Sequence, residues 1–277
     1  MGTVEALHTA ARKFCIDQFD SWVAKYSSFP GGGPYSPEAY RIFPRYRLAQ
    51  DTLINIERLV FDVSAGVAQV KEVLLKAGSS AFESLAGEFK NQPPALLALQ
   101  DQRSVYSAFV KQLDADIIHR VEPLPFRRVL SSEEVAALWL DLLGKWGIRG
   151  VGYGWFPLSE DPKPVGALAF HTDLWDARGG DVLFQKFLAV EDVARCYLLR
   201  ELGPPDYEVD RELAKPVYDG SETFLFKDNT WMIYASHESS LTLVGTVAEF
   251  FREQWSDADS LSYGGPYHTN DLKGTWR

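Results

Sequence analysis

Between Pro93 and Val121 the apolar residues step by three and four: Leu96, Leu99, Tyr106, Val110, Leu113 and Ile117, with only Arg103 breaking the series. That spacing lines every member along one stripe of an α-helix, and an apolar stripe must be covered. Either a second chain covers it, as in a coiled coil, or neighbouring helices of the same chain do. Self-association through the Leu96–Ile117 seam is one outcome; a bundle is the favoured one, because the preceding segments also need a surface to cover.

Those segments read as helices. Val4, Leu7, Ala11, Phe14, Phe19, Trp22 and Tyr26 recur at helical spacing until Phe29-Pro30, where three glycines and Pro34 form a connector without the Lys-Ser/Thr of a phosphate loop. Ser36-Pro37-Glu38 is a helix start, with cap, first-turn proline and early acid in order. Pro44 is expected to interrupt, and Ala49, Leu53, Ile56 and Val60 then mark a further helix. Ser64 is expected to cap another that stops at Gly78. Glu122-Pro123-Leu124-Pro125 ends the helical half, which divides the chain into a helical bundle domain, 1–125, and an acidic α+β domain, 126–277.

The second half alternates. Ser131 with Glu134 makes a capping box for a helix through Leu138, Leu142 and Trp146, stopped by Gly147. Strands are expected at Ile148–Leu158, Val165–Phe170 and Val182–Phe187, a polar loop from Asp173 to Asp181, and a helix from Val190 to Leu202. Three short strands then follow, Thr223–Phe226, Trp231–Tyr234 and Leu241–Val244, before a closing helix, Val247–Trp255. The fold class expected is an N-terminal all-α bundle followed by an α+β domain, a mostly antiparallel sheet with helices on one face.

Charge separates the halves. Lys and Arg number 13 against 14 Asp and Glu up to Pro125, and 15 against 24 after it. The second half therefore repels phosphate backbones and anionic membrane surfaces and attracts a basic partner. Only Cys15 and Cys196 occur, with no metal-ligand spacing around either, so no disulfide framework or structural zinc is expected. Cys196, on the expected Val190–Leu202 helix, reads as core. The N-terminal stretch lacks the apolar run of a signal peptide, and the expectation is a cytoplasmic chain without membrane spans.

His237-Glu238 begins like a zinc-protease helix, but Leu241 stands where the second histidine belongs and the stretch has strand character. The pair is expected at an exposed tip, with Trp231 and Leu241 near partners across the turn. His171 and Asp173, with Asp176, and His268 with Asp271 are the remaining His/acid groups. Were they to converge with His237 and Glu238, a metal-assisted hydrolase would follow, although none of these spacings is diagnostic. Gly150-Val151-Gly152-Tyr153-Gly154 follows a helix instead of opening one, so it does not fit a dinucleotide loop.

Arg41, Arg45 and Arg47 interleave with Tyr40, Phe43 and Tyr46. Such a patch can clamp single-stranded nucleic acid or an acidic protein segment, or its arginines can pair with Asp51 and Glu57. Trp175 and Trp276, set in polar sequence, read as exposed interface anchors.

The last three strands and the closing helix loosely resemble those of small bacterial immunity proteins that cap toxins. This likeness spans about the last third of the chain and rests on no family-specific motif. It implies an inhibitor or an accessory part of a bacterial defence or regulatory complex, and it carries no site residues. The reading is a non-enzymatic adaptor or inhibitor with no cofactor or metal. It binds a partner protein with a basic surface through Trp175, His237, Glu238, Arg41, Arg45 and Arg47.

Overall fold

The computed structural model describes residues 2–29, 36–62, 64–147 and 164–262. The chain divides into two compact units, Met1–Leu124 and Pro125–Arg277. The expected Ile148–Leu158 strand, the Gly150–Gly154 run, His268 and Trp276 lie outside the described residues.

The first unit packs four helices: α1 (Thr3–Ser27), α2 (Ala39–Glu57), α3 (Val67–Glu88) and α4 (Pro93–Gln112). Ala6, Leu7, Ala10, Ala11 and Cys15 line the buried stripe of α1. The α4 seam is consumed by this bundle: Leu99, Tyr106, Val110 and Leu113 are all buried in it. The helix stops at Gln112, and Ile117 falls in a short 3-10 turn, Ala115–His119.

Three expectations about helix bounds are corrected. Gly78 lies inside α3, where a Cβ would stand 2.5 Å from the Tyr106 ring. Glycine there makes room for the tyrosine, whose hydroxyl donates to the Leu74 carbonyl across the helix pair. The same helix starts after Gly66, not at Ser64. Pro44 sits within α2 without ending it, because the proline is buried and packing outweighs its missing N–H. A buried ion pair, Arg12 Nε to Glu57 Oε1 at 3.0 Å, ties α1 to α2.

Among its described residues, the second unit is built on an antiparallel seven-stranded sheet in the order β1-β4-β3-β5-β6-β7-β2. Its strands are β1 (Arg127–Val129), β2 (Leu168–His171), β3 (Arg195–Arg200), β4 (Tyr207–Asp210), β5 (Thr223–Phe226), β6 (Trp231–Ser236) and β7 (Ser240–Gly245). On one face lie α6 (Thr172–Ala177), α7 (Gly180–Val190), α8 (Thr246–Gln254) and α9 (Ala258–Leu261), enclosing Trp175, Phe184, Phe187, Trp231 and Phe251. On the other, α5 (Ser132–Trp146) sets Leu142 against Phe224, Met232, Tyr234 and Val244. The expected helical cover of one face thus holds for α6 to α9, and α5 adds cover to the second.

The capping box forms as expected, with Ser131 Oγ accepting from the Glu134 N–H, and Gly147 ends α5 in the left-handed conformation. Between Asp173 and Leu202 three assignments are corrected. The expected polar loop contains α6, the expected strand Val182–Phe187 belongs to α7, and the expected helix Val190–Leu202 contains β3. Leu183, Phe184, Phe187 and Leu188 are spaced for a helix facing the core. Along β3, Cys196 and Leu198 face one cluster while Tyr197 and Leu199 face the other. A strand buried on both faces is apolar without alternation, so its period cannot be told from a helix.

Candidate functional site

The site is built from the ends of the central strands. β6 and β7 pair from Trp231 opposite Gly245 to Ser236 opposite Ser240, leaving His237, Glu238 and Ser239 as a three-residue loop. Ser239, with φ +59°, takes the left-handed position that closes such loops. Trp231 therefore faces Gly245 and not Leu241, whose partner is Ala235: both strands run further toward a tighter turn than expected. The Glu238 N–H donates to Ser236 Oγ at 3.1 Å, holding the loop.

His237 is not a free contact residue. Its Nδ1 is bonded to Glu222 Oε1, and its Nε2 lies 3.1 Å from Glu238 Oε1. The imidazole is 58% exposed, whereas the Glu222 side chain beneath it is only 8% exposed. Glu222 also shares a side-chain hydrogen bond with Glu201. Buried Glu201, Glu222 and surface His237 thus form a chain of neighbours.

Strand register extends this chain into a row. The Glu201 N–H donates to the Glu222 carbonyl at 3.0 Å, one residue past the pairing of Arg200 with Thr223. Thr223 stands opposite Ala235, so Glu222 stands opposite Ser236. Ser236 pairs with Ser240, and Ser240 with His171. Leu199, Phe224 and Tyr234 face α5, so the residues two along, Glu201, Glu222 and Ser236, share that face. Ser240 and Thr242 share it too, in step with Val244.

β6, β7 and the ends of β3 and β5 therefore place polar residues across an otherwise apolar face. Glu201, Glu222, Ser236, Ser240 and Thr242 are all at most 6% exposed. Ser240 Oγ and Thr242 Oγ1 are enclosed without any hydrogen-bond partner. Each such hydroxyl costs about 1–3 kcal/mol.

No family model, curated protein or solved structure matches the chain.

Of the remaining sequence-derived candidates, His171 stands beside this site, opposite Ser240, whereas Trp175 lies in the core under α7 and α8 and the arginines belong to the first unit. Trp175 is 2% exposed, stacked on Phe251 at 5.0 Å, with its indole N–H donating to Asp181. It is a core residue, because α6 turns its apparent loop toward the sheet. His171 ends β2, and its Nδ1 accepts from the Asp173 N–H as a helix cap. Among the described residues no three His, Cys, Asp or Glu side chains are grouped to hold a metal ion.

Of the arginines, Arg45 pairs with Asp101 at 2.8 Å and lies over the Trp22 ring. Arg47 reaches Glu88 at 3.7 Å, and Arg41 is exposed on α2. The expected partner Glu57 is instead engaged by Arg12. Tyr40 and Phe43 pack on Phe89, so the aromatics serve the bundle. Burial pushes the Cys196 thiol up to about 12, and Cys15 higher still, so both stay unreactive. No helix among the described residues is long and apolar enough to cross a membrane.

Glu222, the residue that organises the site, escaped the sequence reading. The signal was present in Ser221-Glu222, a polar pair abutting a fully buried strand, but only the register shows that it faces Ser236.

Electrostatics gives the tip a pH window. Its bond to Glu222 raises the His237 pKa above the ordinary 6.5. Burial pushes the Glu222 carboxyl up, but the bond and charge of His237, a backbone hydrogen bond and Glu201 together outweigh it and leave the group below the ordinary 4.5. The His237 contribution is complete below its unfolded pKa and lost as pH rises through the raised value. The Glu222 contribution is present above its unfolded pKa and lost as pH falls through the lowered one. The imidazole proton resonance of His237 should titrate with a midpoint above 6.5 and return toward 6.5 in Glu222→Gln.

Proposed function

We propose that this chain is a non-enzymatic adaptor or inhibitor whose acidic second unit binds a basic partner protein through the strand-end surface around His237 and Glu238. The observation that carries this reading is a group of exposed apolar side chains at that end. Leu202 is 69% exposed, Val217 44% and Tyr218 42%.

The fold gathers these side chains. The Leu202 N–H donates to Ser221 Oγ, the Val217 carbonyl accepts from Thr223 Oγ1, and the Tyr218 ring lies 6.2 Å from the His237 ring. Glu238 and Asp219 stand beside them, Glu238 next to His237 and Asp219 held by Arg200 at 3.1 Å. An aromatic and aliphatic centre with an acidic rim suits a basic protein surface. The excess of acids in the second half favours the same partner by steering.

The test is parallel affinity capture with wild type and Leu202→Asp from the native cell. A basic protein retained by wild type and lost by the variant is the expected result. Recovery of the same proteins by both overturns the reading.

A further inference from the structure

His237 stands between two carboxylates of unequal exposure. Its Nδ1 is bonded to Glu222 Oε1, and its Nε2 lies 3.1 Å from Glu238 Oε1. An ionised carboxylate only accepts, so both ring nitrogens must carry hydrogen for the two contacts to coexist. The ring held this way is the imidazolium, and its charge offsets that of Glu238 beside the exposed Leu202, Val217 and Tyr218.

A neutral ring keeps one N–H and can satisfy one carboxylate. Burial decides which: the Glu222 side chain is 8% exposed and that of Glu238 41%, so water can replace the ring on Glu238 but not on Glu222. Histidine is the side chain whose ordinary charge change falls near neutral pH. Resting on the partner reading above, we propose that His237 is a proton-operated cover on Glu238: protonated, it occupies both carboxylates and weakens the basic partner's hold; neutral, it stays on Glu222 and releases Glu238 to that partner. Affinity for a basic surface then rises with pH through the His237 midpoint, by at most about tenfold per pH unit for one proton released.

Other charged or titratable groups surround the tip. The Tyr218 ring lies 6.2 Å from that of His237, Asp219 is held by Arg200, and Glu201 is bonded to Glu222. Across β7 stands His171, with Asp173 3.4 Å from its Nδ1. Of these residue types only histidine ordinarily titrates near neutrality, so His171 is the control.

In the isolated chain, ring nitrogen resonances should show Nδ1–H as the neutral tautomer, and Glu238→Gln should lower the His237 midpoint, because the Glu238 charge and contact favour the imidazolium. The Nε2–H tautomer or an unchanged midpoint overturns the cover. N-acetyl-tetralysine amide, charged throughout the range, should bind roughly threefold or more tightly at about pH 9 than at about pH 5.5 and shift the Glu238 and Tyr218 resonances. His237→Gln, which can still donate to Glu222, should bind it equally at both values, whereas His171→Asn, which can still cap α6, should keep the wild-type dependence. No binding or pH-independent binding by wild type, dependence surviving in His237→Gln, or dependence lost in His171→Asn overturns the proposal. A captured partner should lower the His237 midpoint and be held more tightly at the higher pH. A partner held equally at both overturns the cover and leaves the partner reading standing; the tetralysine response with no partner captured supports the cover and removes only the partner reading.

Discussion

Trp175→Ala is expected to cost about 3–5 kcal/mol, the range for removing a buried aromatic side chain. The indole stacks on Phe251, meets Trp255 edge-on at 6.4 Å and donates to Asp181 at 2.7 Å, so alanine loses packing on two sides and one hydrogen bond. The cavity would open between α6, α7 and α8, at the centre of the cluster that covers one sheet face. For a unit of this size, each kcal/mol moves the midpoint by roughly 2–4 °C. Calorimetry should show the second unit's transition falling by about 10 °C. A surface anchor would leave that transition unchanged, so the same measurement decides between the loop reading of Trp175 and the core reading.

Gly245→Ala is expected to be at least as damaging. Gly245 has φ +74° and ψ −148°, a region that essentially only glycine occupies. A Cβ there would stand 2.0 Å from the Thr230 carbonyl oxygen, which accepts from the Thr246 N–H at 3.1 Å. Neither atom can give way without breaking the end of the β6–β7 ladder, where Trp231 pairs with Gly245. Strain and overpacking together come to about 3–5 kcal/mol. Gly144, on the exposed side of α5 with nothing near its missing Cβ, is the control. Gly144→Ala should stabilise by about 0.5–1 kcal/mol through helix propensity. Denaturant midpoints for the two variants should move in opposite directions.

The fold was legible where one physical signal dominated. Ser131 and Glu134 bracket α5 because a capping box satisfies two backbone donors at once, and Gly147 stops it because the left-handed position favours glycine. The meander of β5, β6 and β7 was readable from short β-branched and aromatic runs set between polar turns. Legibility failed where burial on both sides erased the period. The β3 segment, Arg195–Arg200, carries apolar residues toward both faces, and its neighbour α7 looked like a strand for the converse reason. Gly78 and Pro44 misled because local propensity was overridden by packing, against Tyr106 in one case and in the bundle core in the other.

The site was half legible. His237 and Glu238 were visible as a polar turn, but their engagement with Glu222 is a fact of register across β5 and β6. Ser240 and Thr242 looked like ordinary strand polar residues, and only enclosure without partners distinguishes them.

Partner binding turns on the strand-end surface, and affinity for the captured partner tests it most directly. Loss of an interface anchor commonly costs about 1.4 kcal/mol or more, a tenfold change in Kd. At matched salt, Leu202→Asp should bind at least tenfold more weakly than wild type while its unfolding midpoint is unchanged, because Leu202 is already exposed. Equal affinity in the two proteins would contradict the account.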